Sequence, residues 1–163
     1  MPRVQAFERS VEIAAPAEDV FAFHLDTRNA ASISPRGTRI TDVTGSFPVV
    51  PGSLVTMRMR QSTFPLSVEW RVRIAAVEPN RRVVDVAERS PFREWRHEHL
   101  FQPLGRGRTL MTDRVTYRLP LGILGRLADR LIVRRQLAHA FAERHRRTRD
   151  LLEARAREGA GAA

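Results

Sequence analysis

The sequence predicts an α+β domain. A curved, seven-stranded antiparallel sheet carries two short helices after its first strand and a long C-terminal helix over its concave face. Three observations support this. Period-two alternation broken by Pro, Gly and Asn fills the stretch from Thr38 to Leu119. A Pro-led helix signal with acids in its first turn follows the first strand rather than the last. Beyond Pro120 to Gly125 the pattern changes to the 3.6-residue period of a helix.

In order, Phe7 to Ile13 alternates, with Phe7, Val11 and Ile13 on one parity and Glu8, Ser10 and Glu12 on the other. This is the signature of a half-buried strand. Pro16 then precedes Glu18 and Asp19, opening a helix that carries Val20, Phe21 and Phe23 and ends near Leu25. Asp26 or Thr27 can cap a second short helix through Ala31, stopped by Pro35 and Gly37. Strands follow at Thr38–Thr44, Leu54–Gln61, Leu66–Val77, Arg82–Glu88, Phe92–Gln102 and Thr109–Leu119. Their short connections demand antiparallel pairing. The last helix is predicted from Arg126 to Ala156, with Leu127, Leu131, Leu137, Ala138, Phe141, Thr148 and Leu152 on one face. A sheet of this length must curl, and one helix rarely fills a curled sheet. A cavity between the two is therefore expected.

The 163 residues suit one domain, placed at 1–157, with 158–163 as a fraying tail. There is no cysteine, which excludes disulfides, thiol nucleophiles and Cys-based zinc sites. All 28 basic residues are arginine, which excludes Schiff-base and P-loop lysines. No apolar run approaches the roughly 20 residues of a membrane span, and no signal-peptide pattern opens the chain. A soluble, cytoplasmic protein is the expectation.

Two stretches carry a resemblance. Val11-Glu12-Ile13-Ala14-Ala15-Pro16-Ala17-Glu18-Asp19-Val20-Phe21 looks like the opening strand and Pro-led helix of the START-like superfamily (SRPBCC, birch-allergen-like). Pro91-Phe92-Arg93-Glu94-Trp95-Arg96-His97-Glu98-His99-Leu100-Phe101 also resembles it, as do Gly107, Thr109, Met111 to Asp113, Val115, Tyr117 and Leu119 to Gly122. The similarity is greatest to bacterial members of the polyketide cyclase/dehydrase-like subset. It covers nearly the whole chain and implies the helix-grip fold. Function it leaves open, because the superfamily spans lipid carriers, receptors, cyclases and quinone-binding proteins.

Within the predicted sheet, Trp95, His97, His99 and Phe101 share one face of their strand, and Met111, Asp113, Val115 and Tyr117 share one face of the next. Any hairpin register that matches these faces places Asp113 opposite or diagonal to His97 and His99. Three readings compete: a hydrogen-bonded polar patch, acid/base chemistry by His97, His99, Asp113 and Tyr117, and a metal site. The patch ranks first. The metal reading ranks last because two histidines and one aspartate lack a fourth group, and neither metal nor cofactor is called for. Met57, Met59, Trp70 and Val72 add apolar surface to the expected cavity, and Phe141 adds to it from the helix. Arg130 and Arg134 fall on the helix stripe, either snorkelling to solvent or reaching an acidic ligand group. His145 lies on the same stripe and reads as a satisfied core histidine.

The net charge of +10 raises the question of nucleic acid. The arginines at 58, 60, 71, 73, 96, 114 and 118 alternate against an aromatic inner face and share the outer one with Glu69, Glu94 and Glu98. Nucleic-acid binding would instead interleave exposed aromatics with the basic groups. The partner called for is a small hydrophobic molecule of lipid, polyketide or quinone type, with peripheral contact to an anionic membrane second and specific nucleic acid excluded. Binding or carriage is the first function. A cofactor-free cyclase/aromatase using His97 or His99 is the alternative, and an interaction module for an anionic partner is the third.

Overall fold

In the computed structural model, residues 4–61, 64–120 and 122–161 are described. Strands β1 (Gln5–Ile13), β2 (Thr38–Thr44), β3 (Leu54–Gln61), β4 (Phe64–Glu78), β5 (Arg82–Arg89), β6 (Glu94–Gly105) and β7 (Arg108–Arg118) form one antiparallel sheet in the order β1-β7-β6-β5-β4-β3-β2. Consecutive strands from β2 to β7 are neighbours, and β1 closes on β7. The chain therefore crosses from one sheet edge to the other between β1 and β2. That crossing is made by helix α1 (Ala17–Leu25) and a 3-10 turn (Thr27–Ala31).

Local chemistry explains the boundaries. The Pro16 carbonyl accepts from the N–H groups of Asp19 and Val20, so the helix begins where proline already holds a helical φ. Asp26 Oδ1 accepts from the Arg28 N–H at 3.0 Å and caps the 3-10 turn. The β6–β7 turn places Gly105, Arg106 and Gly107 at φ of 79°, 53° and 66°, a left-handed path that two glycines make accessible. β6 starts at Glu94 rather than at Phe92. The Ser90–Phe92 bend closes on itself, with Phe92 N–H donating to Ser90 Oγ, and the ladder to β7 begins with Arg93 N–H on the Arg118 carbonyl.

Sheet alternation puts the predicted strand arginines on the convex face. Arg73 pairs with Glu88, Arg89 with Glu69, Arg96 with Glu98, Arg114 with Glu8 and Arg118 with Glu94. Such exposed pairs add little stability, and their effect is to divide the positive surface.

The C-terminal helix departs from the prediction. It comprises α2 (Gly122–Ala128), a π-helical turn (Asp129–Val133) and α3 (Arg134–Gly161). The wide turn adds a residue to the repeat, which rotates everything before it by about 100° relative to α3. Leu127 and Leu131, predicted on the buried stripe, are consequently 55% and 53% exposed, beside exposed Leu124 and Ile132. Past the turn the stripe holds: Phe141, His145, Thr148 and Leu152 are buried, and Phe7 of β1 packs against Phe141 at 5.2 Å. At Gly125 a Cβ would collide with the Pro120 carbonyl oxygen, so this close approach requires glycine. The helix passes the predicted end at Ala156, with residues 158–161 of the expected tail helical and 162–163 outside the described residues.

Apolar packing falls into three groups. Phe21, Phe23, Phe101, Met111 and Leu152 pack with Ile13 and Val20 under α1. Val49, Val55, Val72 and Ile74 pack at the β3–β4 side. Trp95, Val115 and Tyr117 pack beneath α3 against its Phe141, with partly buried Trp70 and Phe92 beside them. On the concave face at β3 and β4, Met57, Met59 and Trp70 remain half-buried. The two pockets described lie elsewhere than the expected cavity. One, of about 770 Å³, runs between α1 and the C-terminal part of α3, and one of about 470 Å³ borders the β5–β6 region.

Candidate functional site

The inward faces of β5, β6 and β7 converge on a buried polar cluster. In the β6–β7 register His99 faces Asp113, Trp95 faces Tyr117 and His97 faces Val115. Across β5, His97 faces Asp85 and His99 faces Val83. Asp113 is fully buried and forms the centre. Its Oδ1 lies 3.0 Å from His97 Nε2 and 2.7 Å from His99 Nδ1, the latter out of line with the ring N–H direction. Its Oδ2 accepts from Nε2 of His145, on α3, at 2.7 Å. On the other side of the histidine pair, Asp85 Oδ2 is 3.7 Å from His97 Nδ1 and 3.5 Å from His99 Nε2.

Electrostatics follow from this arrangement. Burial alone would raise the Asp113 carboxyl, but His97 and His99 and the hydrogen bonds from His145 and His97 hold it well below the usual carboxylate range. Burial and the neighbouring His99 push the His97 imidazole down. His99 goes the other way: burial disfavours its cation, yet Asp113 and Asp85 outweigh that and raise it. His24, at the end of α1, stacks 5.2 Å from His99 and 5.1 Å from Phe101. Burial first, then His99, lowers it to about 3, so it is neutral. Because a carbonyl only accepts, the His24 proton sits on Nδ1, bonded to Val20 O at 2.7 Å.

An aromatic wall adjoins the cluster. Trp70 and Trp95 meet edge to face at 5.0 Å, Phe92 lies 4.7 Å from Trp95 and 5.8 Å from Trp70, and His97 lies 6.2 Å from Trp95. Such spacings are those of favourable aromatic contacts.

Of the predicted site residues, the fold unites His97, His99 and Asp113, and sets Trp70, Trp95, Tyr117 and Phe141 around them. Val72 goes to the β3–β4 core and Phe101 with Met111 to the core under α1, while Met57 and Met59 stay at the open side. The Tyr117 hydroxyl is directed away from the histidines, donating to buried Asp129 Oδ1 at 2.5 Å. Burial and then Asp129 push that phenol up. Arg134, read as either snorkelling to solvent or reaching an acidic ligand group, is 58% exposed and bonds Asp129 Oδ2 at 3.0 Å, and Arg130 is exposed.

Sequence reading missed Asp85, His145 as a partner of Asp113, His24 and Asp129. Asp85 alternates with Val83 and Ala87 on the inward parity, a signal present in the sequence. His145 was placed on the inward stripe, but its partner lies 32 residues away on β7. Asp129 depends on the π turn, which no periodicity announces.

Comparison with known proteins fits this fold. The model of the family described as polyketide cyclase / dehydrase and lipid transport matches residues 4–153, and the chain belongs to that family, within the START-like superfamily. No curated protein matches the sequence. Among solved structures, the di-domain ARO/CYC StfQ from the steffimycin biosynthetic pathway aligns with a TM-score of 0.76 at 18% identity, covering 94% of this chain. The chain spans 52% of that di-domain protein. A protein from Chromobacterium violaceum aligns with a TM-score of 0.70 at 16% identity, covering 91% of this chain and 96% of its own. A norcoclaurine synthase point mutant from Thalictrum flavum, in complex with a transition-state analogue, aligns at 0.65 and 12% identity, covering 91% of this chain and 96% of its own. At these identities the likeness shows the fold, here the helix grip.

Proposed function

We propose that the domain binds a small, largely apolar, aromatic molecule against the concave face, to carry or to sense it. The supporting observation is the uncovered aromatic wall. Trp70, Phe92 and Trp95 are in mutual contact, yet Trp70 and Phe92, with Met57 and Met59, remain half-buried. Aromatic and thioether surface on a concave face is the kind that a flat apolar ligand covers well. The family description, which includes lipid transport, points the same way. The test is organic extraction of the purified protein followed by mass spectrometry, with a thermal-shift screen over apolar aromatic compounds. A co-purifying molecule, lost in Trp70→Ala and kept in His97→Ala and His99→Ala, supports binding. An empty protein whose melting temperature moves for no compound counts against it.

A second reading is a cyclase/aromatase-type enzyme, supported by His97 lying beside Trp95 and held by Asp113. It predicts turnover lost on His97→Ala or His99→Ala with ligand affinity retained.

A further inference from the structure

The nitrogen atoms that His97 and His99 turn away from Asp113 have a common neighbour. An ionised carboxylate only accepts, so His97 Nε2, bonded to Asp113 at 3.0 Å, carries that ring's proton and His97 Nδ1 the lone pair. His99 Nδ1 makes no such in-line bond to Asp113, and its Nε2 lies on the Asp85 side. His97 Nδ1 and His99 Nε2 are 3.7 Å and 3.5 Å from one oxygen, Asp85 Oδ2. Asp85, His97 and His99 each offer a ligand atom, and these atoms lie within 4.8 Å of one another.

We propose that Asp85, His97 and His99 form a binding site for a divalent first-row transition ion. Two imidazoles and one carboxylate are the ligand types that zinc and ferrous iron take. Donor atoms sharing such an ion at bonds of about 2.1 Å sit roughly 3–3.5 Å apart; the two spacings to Asp85 Oδ2, 3.7 Å and 3.5 Å, are close to that, and the set as a whole, within 4.8 Å, has to draw in around the ion. The support behind the ligands is also present. Metal-binding imidazoles commonly donate their second N–H to a carboxylate, which fixes ring orientation. Asp113 occupies that position for His97, lies 2.7 Å from His99 Nδ1 but out of line with its ring N–H, and is fixed from the helix side by His145. His97 and His99 are i and i+2 on one strand and so project from the same face, while Asp85 comes from the neighbouring strand in direct register with His97. Asp85 keeps 14% of its side-chain surface exposed, which leaves the site a route from solvent. Three protein ligands leave positions open for water or for a donor atom of a molecule on the aromatic wall. The site goes beyond the ligand-binding reading, because it concerns the histidine pair with or without an organic ligand.

The experiment uses the full-length protein without an affinity tag, stripped with chelator and titrated with zinc alone, then with ferrous iron anaerobically, each by calorimetry. Cobalt provides an absorption spectrum that reports nitrogen and oxygen ligation. The expected result is saturable binding of one equivalent. Asp85→Asn and His97→Ala should weaken it by roughly 100-fold or more, and Asp113→Asn by about 10- to 100-fold. Exposed His139 serves as the control, and His139→Ala should leave affinity unchanged. Which of zinc and iron binds more tightly separates the two ions. Asp85→Asn alters a side chain that reaches solvent, so it keeps the test valid if His97→Ala fails to fold. No saturable binding by the parent protein overturns the site. So does binding that survives Asp85→Asn or disappears with His139.

Discussion

Replacing Asp113 by Asn tests whether one buried carboxylate organises the cluster. The substitution preserves shape. It leaves one oxygen for two or three imidazole N–H groups and turns an NH₂ donor toward another donor. Asp113 accepts from His97 at 3.0 Å and from His145 at 2.7 Å, and lies 2.7 Å from His99. Each charge-assisted bond contributes about 1.5–3 kcal/mol, and breaking a buried charged group's pairing typically costs about 3–5 kcal/mol. Part is recovered because Asn carries no buried charge. The expected net loss is about 3 kcal/mol. With an m-value of about 2 kcal/mol/M, the urea midpoint falls by roughly 1.5 M, and the melting temperature by about 6–12 °C. Circular dichroism in urea at pH 7.5 gives both midpoint and slope, and the exposed Asp150→Asn change should leave the midpoint in place. A loss under about 1 kcal/mol at unchanged slope would refute the central role of Asp113.

Three further outcomes are expected. Folded His24 titrates near 3 against an ordinary 6.5, so over that range the unfolded chain binds a proton the folded one refuses. Stability should therefore drop as pH falls below 6.5, by up to about 1.4 kcal/mol per pH unit, and His24→Phe should flatten this slope in melts from pH 7.5 to 5. Tyr117→Phe leaves buried Asp129 with Arg134 as its side-chain partner among the described residues and should cost about 2 kcal/mol; adding Asp129→Asn should cost less than the sum of the single changes. Gly125→Ala drives a Cβ against the Pro120 backbone and should destabilise the fold by about 1–3 kcal/mol in the same urea assay.

The strands were legible because each alternates on its own, and the face-sharing rule then sufficed to set Asp113 against the histidine pair. Asp85 obeys the same rule on β5, where it shares a parity with Val83 and Ala87, so the signal for it is present in the sequence. The phase of α2 was not legible. A π turn leaves no mark in hydrophobic spacing, and with it went the placement of Leu127 and Leu131. The Asp113–His145 bond joins a strand to a helix 32 residues on, a distance over which no local pattern carries information. Tyr117 shows a subtler limit: its inward face was correct, but the direction of its hydroxyl depends on Asp129.

The binding claim has a built-in reporter, since the chain's two tryptophans, Trp70 and Trp95, both stand in the aromatic wall. Titrating 1-anilinonaphthalene-8-sulfonate while exciting tryptophan measures occupancy of that wall directly. The account predicts saturable quenching of tryptophan emission with energy transfer to one bound probe, displaced by whatever organic extraction recovers and lost in Trp70→Ala. Tryptophan emission that stays constant through the titration, on a correctly folded protein, would contradict it.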